Sequence, residues 1–293
     1  MKLKLSAHME KAYMEHFHYM KTLGFTGHVE RFDFRSEVYK KLLEVVGNRY
    51  NYNFKISIEL TKKEIRDIKA FLIVPNSVLP IKYYIDYESY EKIPNKKICF
   101  KNKKICMFKE HNINGIPSVK DNFFKTFEVW YNLIIATDYI KSKIKNSTLS
   151  GIEFGDLIDI KTQQSISLSC LYSNILMHDK CLDTNLDFEN KKEHNFLIYE
   201  NLNDINDFNY TSEPFEYDQS GIIVSQNFKY FYNDNKLKGL FFYPVFEKDS
   251  ILFEKLNTMI IEFATELLAY NAKHTIGNNR TSPTKLVTGI LNV

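Results

Sequence analysis

The sequence predicts an α+β protein, mixed sheets with flanking helices, and three observations lead there. Apolar runs of strand length alternate with amphipathic segments; one strand, helix, strand pattern occurs twice; and a long amphipathic segment lies near the C-terminus.

Taken in order, residues from Ser6 to Leu23 place Met9, Tyr13, Phe17 and Met20 three or four apart ahead of Gly24, the spacing of a helix with a stop. A second amphipathic segment, SEVYKKLLEVV, ends at Gly47. In NFKISIEL, Phe54, Ile56, Ile58 and Leu60 alternate with Lys, Ser and Glu as in a half-buried strand. Thr61 and Glu64 form a Thr-x-x-Glu capping box, which predicts a helix through Lys69 because each side chain can satisfy a free amide of the first turn. AFLIV follows as a buried strand. IKYYIDY, from Ile81 to Tyr87, alternates at period two, and ICFKNKKIC reads as a β-hairpin whose arms place Cys99 and Cys106 across from each other as reduced neighbours. A last helix is expected from about Ser250 to Lys273, with Leu252, Leu256, Ile260, Phe263 and Leu267 on one face. The tail after Gly277, rich in Asn, Thr and Ser, is expected to be poorly ordered in part.

The repeat is the strongest organisational signal. LIIATDYIKSKIKNSTLSGIEFGDL, from Leu133, aligns without a gap on GIIVSQNFKYFYNDNKLKGLFFYPV, from Gly221. Ile134, Ile135, Lys141, Leu149, Gly151 and Phe154 recur as Ile222, Ile223, Lys229, Leu237, Gly239 and Phe242, and Thr137 is replaced by Ser225. In each copy an apolar strand ends at a hydroxyl residue able to cap a helix, and a Leu-x-Gly turn leads into a second strand. The gapless register favours an internal duplication. It divides the chain into an N-terminal α/β region with the hairpin, 1–125, and a region 126–293 that holds both copies and the C-terminal helix as one compact body.

Composition sets outer bounds. With 293 residues, 44% hydrophobic and 26% charged, the chain is no disordered, collagenous or membrane-type sequence. A net charge of +3 gives no call for a nucleic-acid partner. No secretory signal and no long apolar run are visible, and four cysteines without a CxxC pair suit a reducing compartment; the expected location is the cytoplasm, with no membrane contact.

Phosphate-loop, dinucleotide, zinc-protease and nucleophile-elbow signatures are all missing. His16 and His18 beside Glu15 point in different directions on a helix, so no metal site is assigned. No catalytic residue and no cofactor are assigned either. A rival enzyme reading rests on His178, Asp179 and Cys181, which would have to converge in a cleft.

Charge is more informative. Between Asp179 and Asp218 stand eleven Asp or Glu and three Lys, interleaved with aromatic residues, in a chain that is positive in total. Asp204, Asp207, Glu213, Glu216 and Asp218 are expected to steer a basic partner, with Tyr210 and Tyr217 as contact anchors. The alternative is a solvated connection between the copies. The seven lysines between Lys92 and Lys109 read as a solvated hairpin or, alternatively, an RNA-binding finger.

The two copies, with apolar residues leading into Thr137-Asp138 or Ser225-Gln226, then Gly151 or Gly239, then Phe154 or the run Phe241-Phe242-Tyr243-Pro244-Val245, resemble a module of immunity proteins from bacterial polymorphic-toxin systems. The likeness is greatest to the immunity families related to the double-CXXCG group. It covers two stretches of about 25 residues; the CXXCG pairs themselves are lacking, and the first copy has Gly155-Asp156 where Pro-Val stands in the second. The resemblance implies a cytoplasmic, non-catalytic protein that binds and blocks one cognate toxin.

Overall fold

The computed structural model describes residues 1–8, 29–33, 35–36, 54–80, 82–83, 97–99, 106–108, 110–127, 130–177, 181–184, 197–216 and 219–274. In chain order these form β1 (Lys2–His8), β2 (Val29–Asp33), β3 (Phe54–Glu59), α1 (Lys62–Asp67), β4 (Ala70–Pro75), β5 (Lys97–Cys99), β6 (Cys106–Phe108) and β7 (Glu110–Ile113). There follow β8 (Lys125–Phe127), β9 (Trp130–Thr137), α2 (Asp138–Lys145), β10 (Glu153–Asp159), β11 (Ser165–Tyr172), β12 (Cys181–Thr184) and β13 (Leu197–Tyr199). The last elements are β14 (Phe208–Glu216), β15 (Gln219–Ser225), α3 (Gln226–Asp234), β16 (Leu240–Glu247) and α4 (Ile251–His274). The class is α+β, as the sequence predicts.

The chain divides into two compact bodies, and neither is a continuous half. The smaller comprises Met1–Asp67, Leu182–Ile198 and Phe246–Val293; the larger comprises Ile68–Cys181 and Tyr199–Val245. A boundary at residue 125 is therefore not observed, and residues 126–293 do not form one body.

In the smaller body β1 is the centre of an antiparallel sheet, β2-β1-β3. Ser6–His8 belong to this strand and not to a helix. The alternation Lys2, Leu3, Lys4, Leu5 extends into them, and pairing on both edges outweighs the helical spacing that begins at Met9, which lies outside the described residues. The Thr61–Glu64 box is formed: Glu64 N donates to Thr61 Oγ1 at 3.2 Å and Thr61 N donates to Glu64 Oε2 at 2.9 Å. The helix ends at Asp67, two residues short of expectation, because the chain is already committed to β4. Burial works to raise the Glu64 pKa, but the ammonium of Lys255 and the amine of Met1 outweigh it and hold the carboxyl at about 2. In α4, Leu256, Ile260 and Phe263 are buried at helical spacing.

The larger body is built on two sheets with matching centres. One runs β7-β10-β11-β9-β8; in the other β16, β4, β15 and β14 lie side by side in that order. β11 is antiparallel to β9 and β10, and β4 is antiparallel to β15 and β16. Each copy of the repeat thus presents two parallel strands joined through a helix, with one antiparallel strand between them. The inserted strands are exchanged: β4 precedes the first copy yet lies inside the second, and β11 follows the first copy and lies inside it. Both carry continuous buried runs, Ala70 to Ile73 and Leu168 to Tyr172, as a strand covered on both faces requires.

The exchange keeps register. Ile135 pairs with Cys170 and Phe154 with Leu171; their counterparts Ile223 and Phe242 pair with Leu72 and Ile73. Past its sheet, each inserted strand meets a second strand in the same way. Leu79 N donates to Thr126 O at 2.7 Å and Thr126 N to Ser77 O at 3.1 Å; Met177 N donates to Tyr210 O at 2.8 Å and Tyr210 N to Ile175 O at 2.9 Å.

Helix starts and turns match too. Thr137 Oγ1 accepts from Ile140 N at 3.3 Å and Ser225 Oγ from Phe228 N at 3.2 Å. Gly151 and Gly239 have φ of +77° and +99°. Both conformation and space demand glycine, since a Cβ would lie 2.5 Å from Phe208 O at Gly151 and 2.1 Å from Phe124 O at Gly239. The Cys99–Cys106 pairing of the hairpin is observed in register. Tyr83 N donates to Pro80 O in a turn, so Lys82 and Tyr83 do not continue a strand; the rest of IKYYIDY lies outside the described residues, as do most of SEVYKKLLEVV and the tail after Gly277.

Candidate functional site

The side chains that differ between the two copies mark where the larger body departs from its own repeat. In α2, Ile140 and Ile144 are four apart and buried, which turns Lys141 and Lys145 to one flank and Tyr139 and Lys143 to the other. In α3 the buried residue is Phe228, and Asn227 and Phe231 stand where α2 has Tyr139 and Lys143.

One lysine–phenylalanine pair is shared. Lys141 Nζ donates to Ser169 Oγ at 2.9 Å and lies 5.7 Å from the Phe154 ring centre. Its counterpart Lys229 lies 3.6 Å from the Phe71 ring centre and 5.4 Å from that of Phe242. Phe71 takes the register place of Ser169, so an aromatic face replaces a hydroxyl, and burial lowers the Lys229 pKa to about 8.

The largest contrast is at the two joints where each copy's glycine turn meets the strand opening of the other hairpin. Gly151 abuts Phe208, and the neighbouring Asp207 is buried: its Oδ2 accepts from Ser150 N at 2.8 Å and Ser150 Oγ at 3.0 Å, and its Oδ1 accepts from Ser225 Oγ. Gly239 abuts Phe124, and the neighbouring residue is Phe123. Around that ring stand three ammonium groups, Lys120 at 5.9 Å, Lys125 at 5.8 Å and Lys238 at 5.7 Å from its centre. Lys125 Nζ also donates to Ser77 Oγ. Here backbone pairs close the joint, with Phe124 N donating to Lys238 O at 2.8 Å and Lys238 N to Asn122 O at 2.9 Å, and the Asn122 side-chain amide adds a bond to Lys236 O at 2.9 Å.

The residues expected to bind a partner are dispersed. Asp204 is exposed in a turn. Asp207 is spent on the joint, and Tyr210 is 1% exposed with its hydroxyl pKa raised by burial, so both serve the interior and not a surface. Glu213 and Glu216 lie in β14, and Tyr217 and Asp218 lie outside the described residues. His178 and Asp179 also lie outside them, while Cys181 opens β12. Cys170 is fully buried and its thiol is pushed up to about 12, the state of a packed apolar residue. Among the described residues no group of three His, Cys, Asp or Glu side chains is arranged to hold a metal ion, and no helix is long and apolar enough to cross a membrane.

Sequence reasoning missed Phe123 and its lysines because Lys238 is remote in the chain and reaches the ring only through the joint. The one available signal was the repeat itself, whose turn glycine fixes where Lys238 must lie. No protein-family model matches the chain, and no curated protein matches it.

Proposed function

We propose that this chain is a non-catalytic immunity protein that binds and neutralises a cognate bacterial toxin in the cytoplasm, on a scaffold made by internal duplication. The observation that carries this reading is that the residues of the resemblance act together as one built module. Ser225 caps α3, Gly239 makes the turn into β16 and Val245 is buried, while Phe242 packs on Tyr232 with ring centres 4.9 Å apart. A likeness made of scattered surface identities would have no such coherence.

With Asp207 and Tyr210 committed to the interior, the acidic contribution to a partner falls to Asp204, Glu213, Glu216 and Asp218, and the aromatic one to Tyr217. The test is co-expression with the product of the adjacent gene in a host that the product arrests. Rescued growth together with a stable purified complex is expected. Growth arrest despite soluble expression, or rescue without a complex, overturns the proposal. Turnover of any substrate that is lost in Cys181→Ala, with the fold intact, would favour the enzyme reading instead.

A further inference from the structure

The lysines at the Phe123 joint are difficult to explain as scaffold. The equivalent strand opening in the other half carries Asp207, and Asn209 stands where Lys125 stands: Lys125 pairs with Ile135, Asn209 with Ile223. Ser150 takes the place of Lys238, one residue before the glycine, and three residues upstream Asp204 takes the place of Lys120. Four equivalent positions thus change from a lysine-ringed aromatic to acidic and polar residues.

Among the described residues none of Lys120, Lys125 and Lys238 forms an ion pair. Three like charges around one half-buried ring repel one another, and among the described residues only Lys125 of the three has a side-chain hydrogen bond, to Ser77. The basic character continues into α2. Its cap Thr137 donates to Asp121 O, and Lys143 in its last turn lies 5.7 Å from the ring centre of Tyr139, which is 42% exposed. Asp121 and Asp138 are the nearby carboxylates, and Asp138 sits in the first turn of α2, where the helix dipole favours it.

Lysine is depleted at protein–protein interfaces, whereas cations without a carboxylate partner, interleaved with reachable aromatic faces, are what an unstacked polynucleotide uses: phosphates for the ammonium groups and bases for the rings. We infer that Phe123, Lys120, Lys125 and Lys238, together with Tyr139 and Lys143, form a binding surface for single-stranded nucleic acid. It is independent of any toxin-binding face. A duplex would satisfy the charges but leave the rings without a base to stack on.

The experiment is fluorescence anisotropy of the full chain with a labelled oligouridylate of about 20 nucleotides, longer than the roughly 4–16 that one such groove engages. Oligothymidylate and a duplex of the same length are run in parallel. Saturable binding to a single strand is expected, with log affinity falling against log salt at a slope of about −2 to −3, since four lysines each contribute about 0.7. Whichever of the two single strands binds more tightly identifies RNA or DNA as the source.

The triple variant Lys120→Gln, Lys125→Gln, Lys238→Gln should weaken binding by about tenfold or more, while Lys62→Gln, Lys63→Gln, Lys161→Gln, the same charge change on three exposed lysines elsewhere, should leave it within about twofold. Tyr139→Ala, at an exposed ring, should weaken it by about fivefold or more with the thermal melt unchanged. Equal weakening in the two triple variants, no effect of Tyr139→Ala, equal affinity for the duplex, or competition by polyglutamate as effective as by unlabelled oligonucleotide would each overturn the inference. None of these readings depends on whether the chain rescues a host from a toxin.

Discussion

Around Asp207 side chains are drawn inward: one carboxylate gathers Ser150 and Ser225 and ties the turn of the first copy to the helix cap of the second. Around Phe123 the meeting of turn and strand opening is closed by backbone hydrogen bonds and the Asn122 amide, and Lys120 and Lys238 are left exposed beside a half-buried ring. The difference separates what the fold needs from what it tolerates. The turn glycine occurs at both joints and is scaffold; the buried carboxylate closes one joint, and backbone pairing beside a lysine ring closes the other.

The largest effects should come from the part the joints share. At Gly239 an added Cβ meets a backbone carbonyl at 2.1 Å in a left-handed conformation, so Gly239→Ala should cost roughly 3 kcal/mol or more, combining the conformational penalty with overpacking. Gly151→Ala, with 2.5 Å to its carbonyl, should cost less but still more than about 1 kcal/mol. Urea unfolding of both variants checks the order. A Gly239→Ala protein as stable as its parent would mean that the joint opens freely and that the two copies are not locked.

Next is the contrast itself. Asp207→Ala removes the acceptor of three hydrogen bonds at a buried site and should destabilise by about 2–4 kcal/mol, because charged hydrogen bonds are lost and donors are left unsatisfied. Lys238→Ala, at the equivalent turn, should stay within about 0.5 kcal/mol, as for an exposed side chain with no structural partner. Equal losses in the two variants would erase the distinction between a fixed joint and a free one.

These joints also show how far the sequence could be read. Thr137, Ser225, Gly151 and Gly239 were legible because caps and left-handed turns are local devices with narrow residue preferences. The exchange of β4 and β11 was not: AFLIV reads only as a buried strand, and no local signal says between which strands it goes. Asp207 and Tyr210 were misread as surface groups for a related reason. An acidic, aromatic segment looks solvated in one dimension, and only a serine at position 150 and another at 225 reveal what the carboxylate serves. Ser6–His8 failed at the boundary between two periodicities, where tertiary pairing decides.

The helix caps allow a finer comparison. Thr137→Ala and Ser225→Ala each remove an acceptor from a first-turn amide, worth about 1 kcal/mol. Ser225→Ala should cost more than its counterpart, because Ser225 also donates to Asp207, while Thr137 donates to the carbonyl of exposed Asp121. In the Asp207→Ala background that excess should vanish, leaving the two cap variants alike. A double-mutant cycle by urea unfolding measures it, and an unchanged excess would detach the cap from the joint.

A pH-dependent effect distinguishes the shared lysines. Burial holds Lys229 at about pKa 8 against an ordinary 10.5, so between these values the unfolded chain binds the proton more readily than the folded one. Lys229 therefore weakens the fold at neutral pH, and the penalty lifts as pH rises from about 8 to 10.5. Buried Tyr210, whose hydroxyl pKa is raised, acts in the opposite sense, because unfolding lets it ionise at ordinary values. The two trends overlap, and only a difference resolves them. Lys229→Met keeps the packing on Phe71 and Phe242 without the charge, so the variant should be the more stable of the pair at pH 7, with its advantage shrinking as pH climbs toward 10. Lys141→Met, which loses a hydrogen bond to Ser169, should show no such advantage at pH 7. If Lys229→Met is instead less stable than the parent at neutral pH, attraction between the ammonium and the Phe71 face outweighs desolvation, and the aromatic that replaces Ser169 in the second copy is a cation site in its own right.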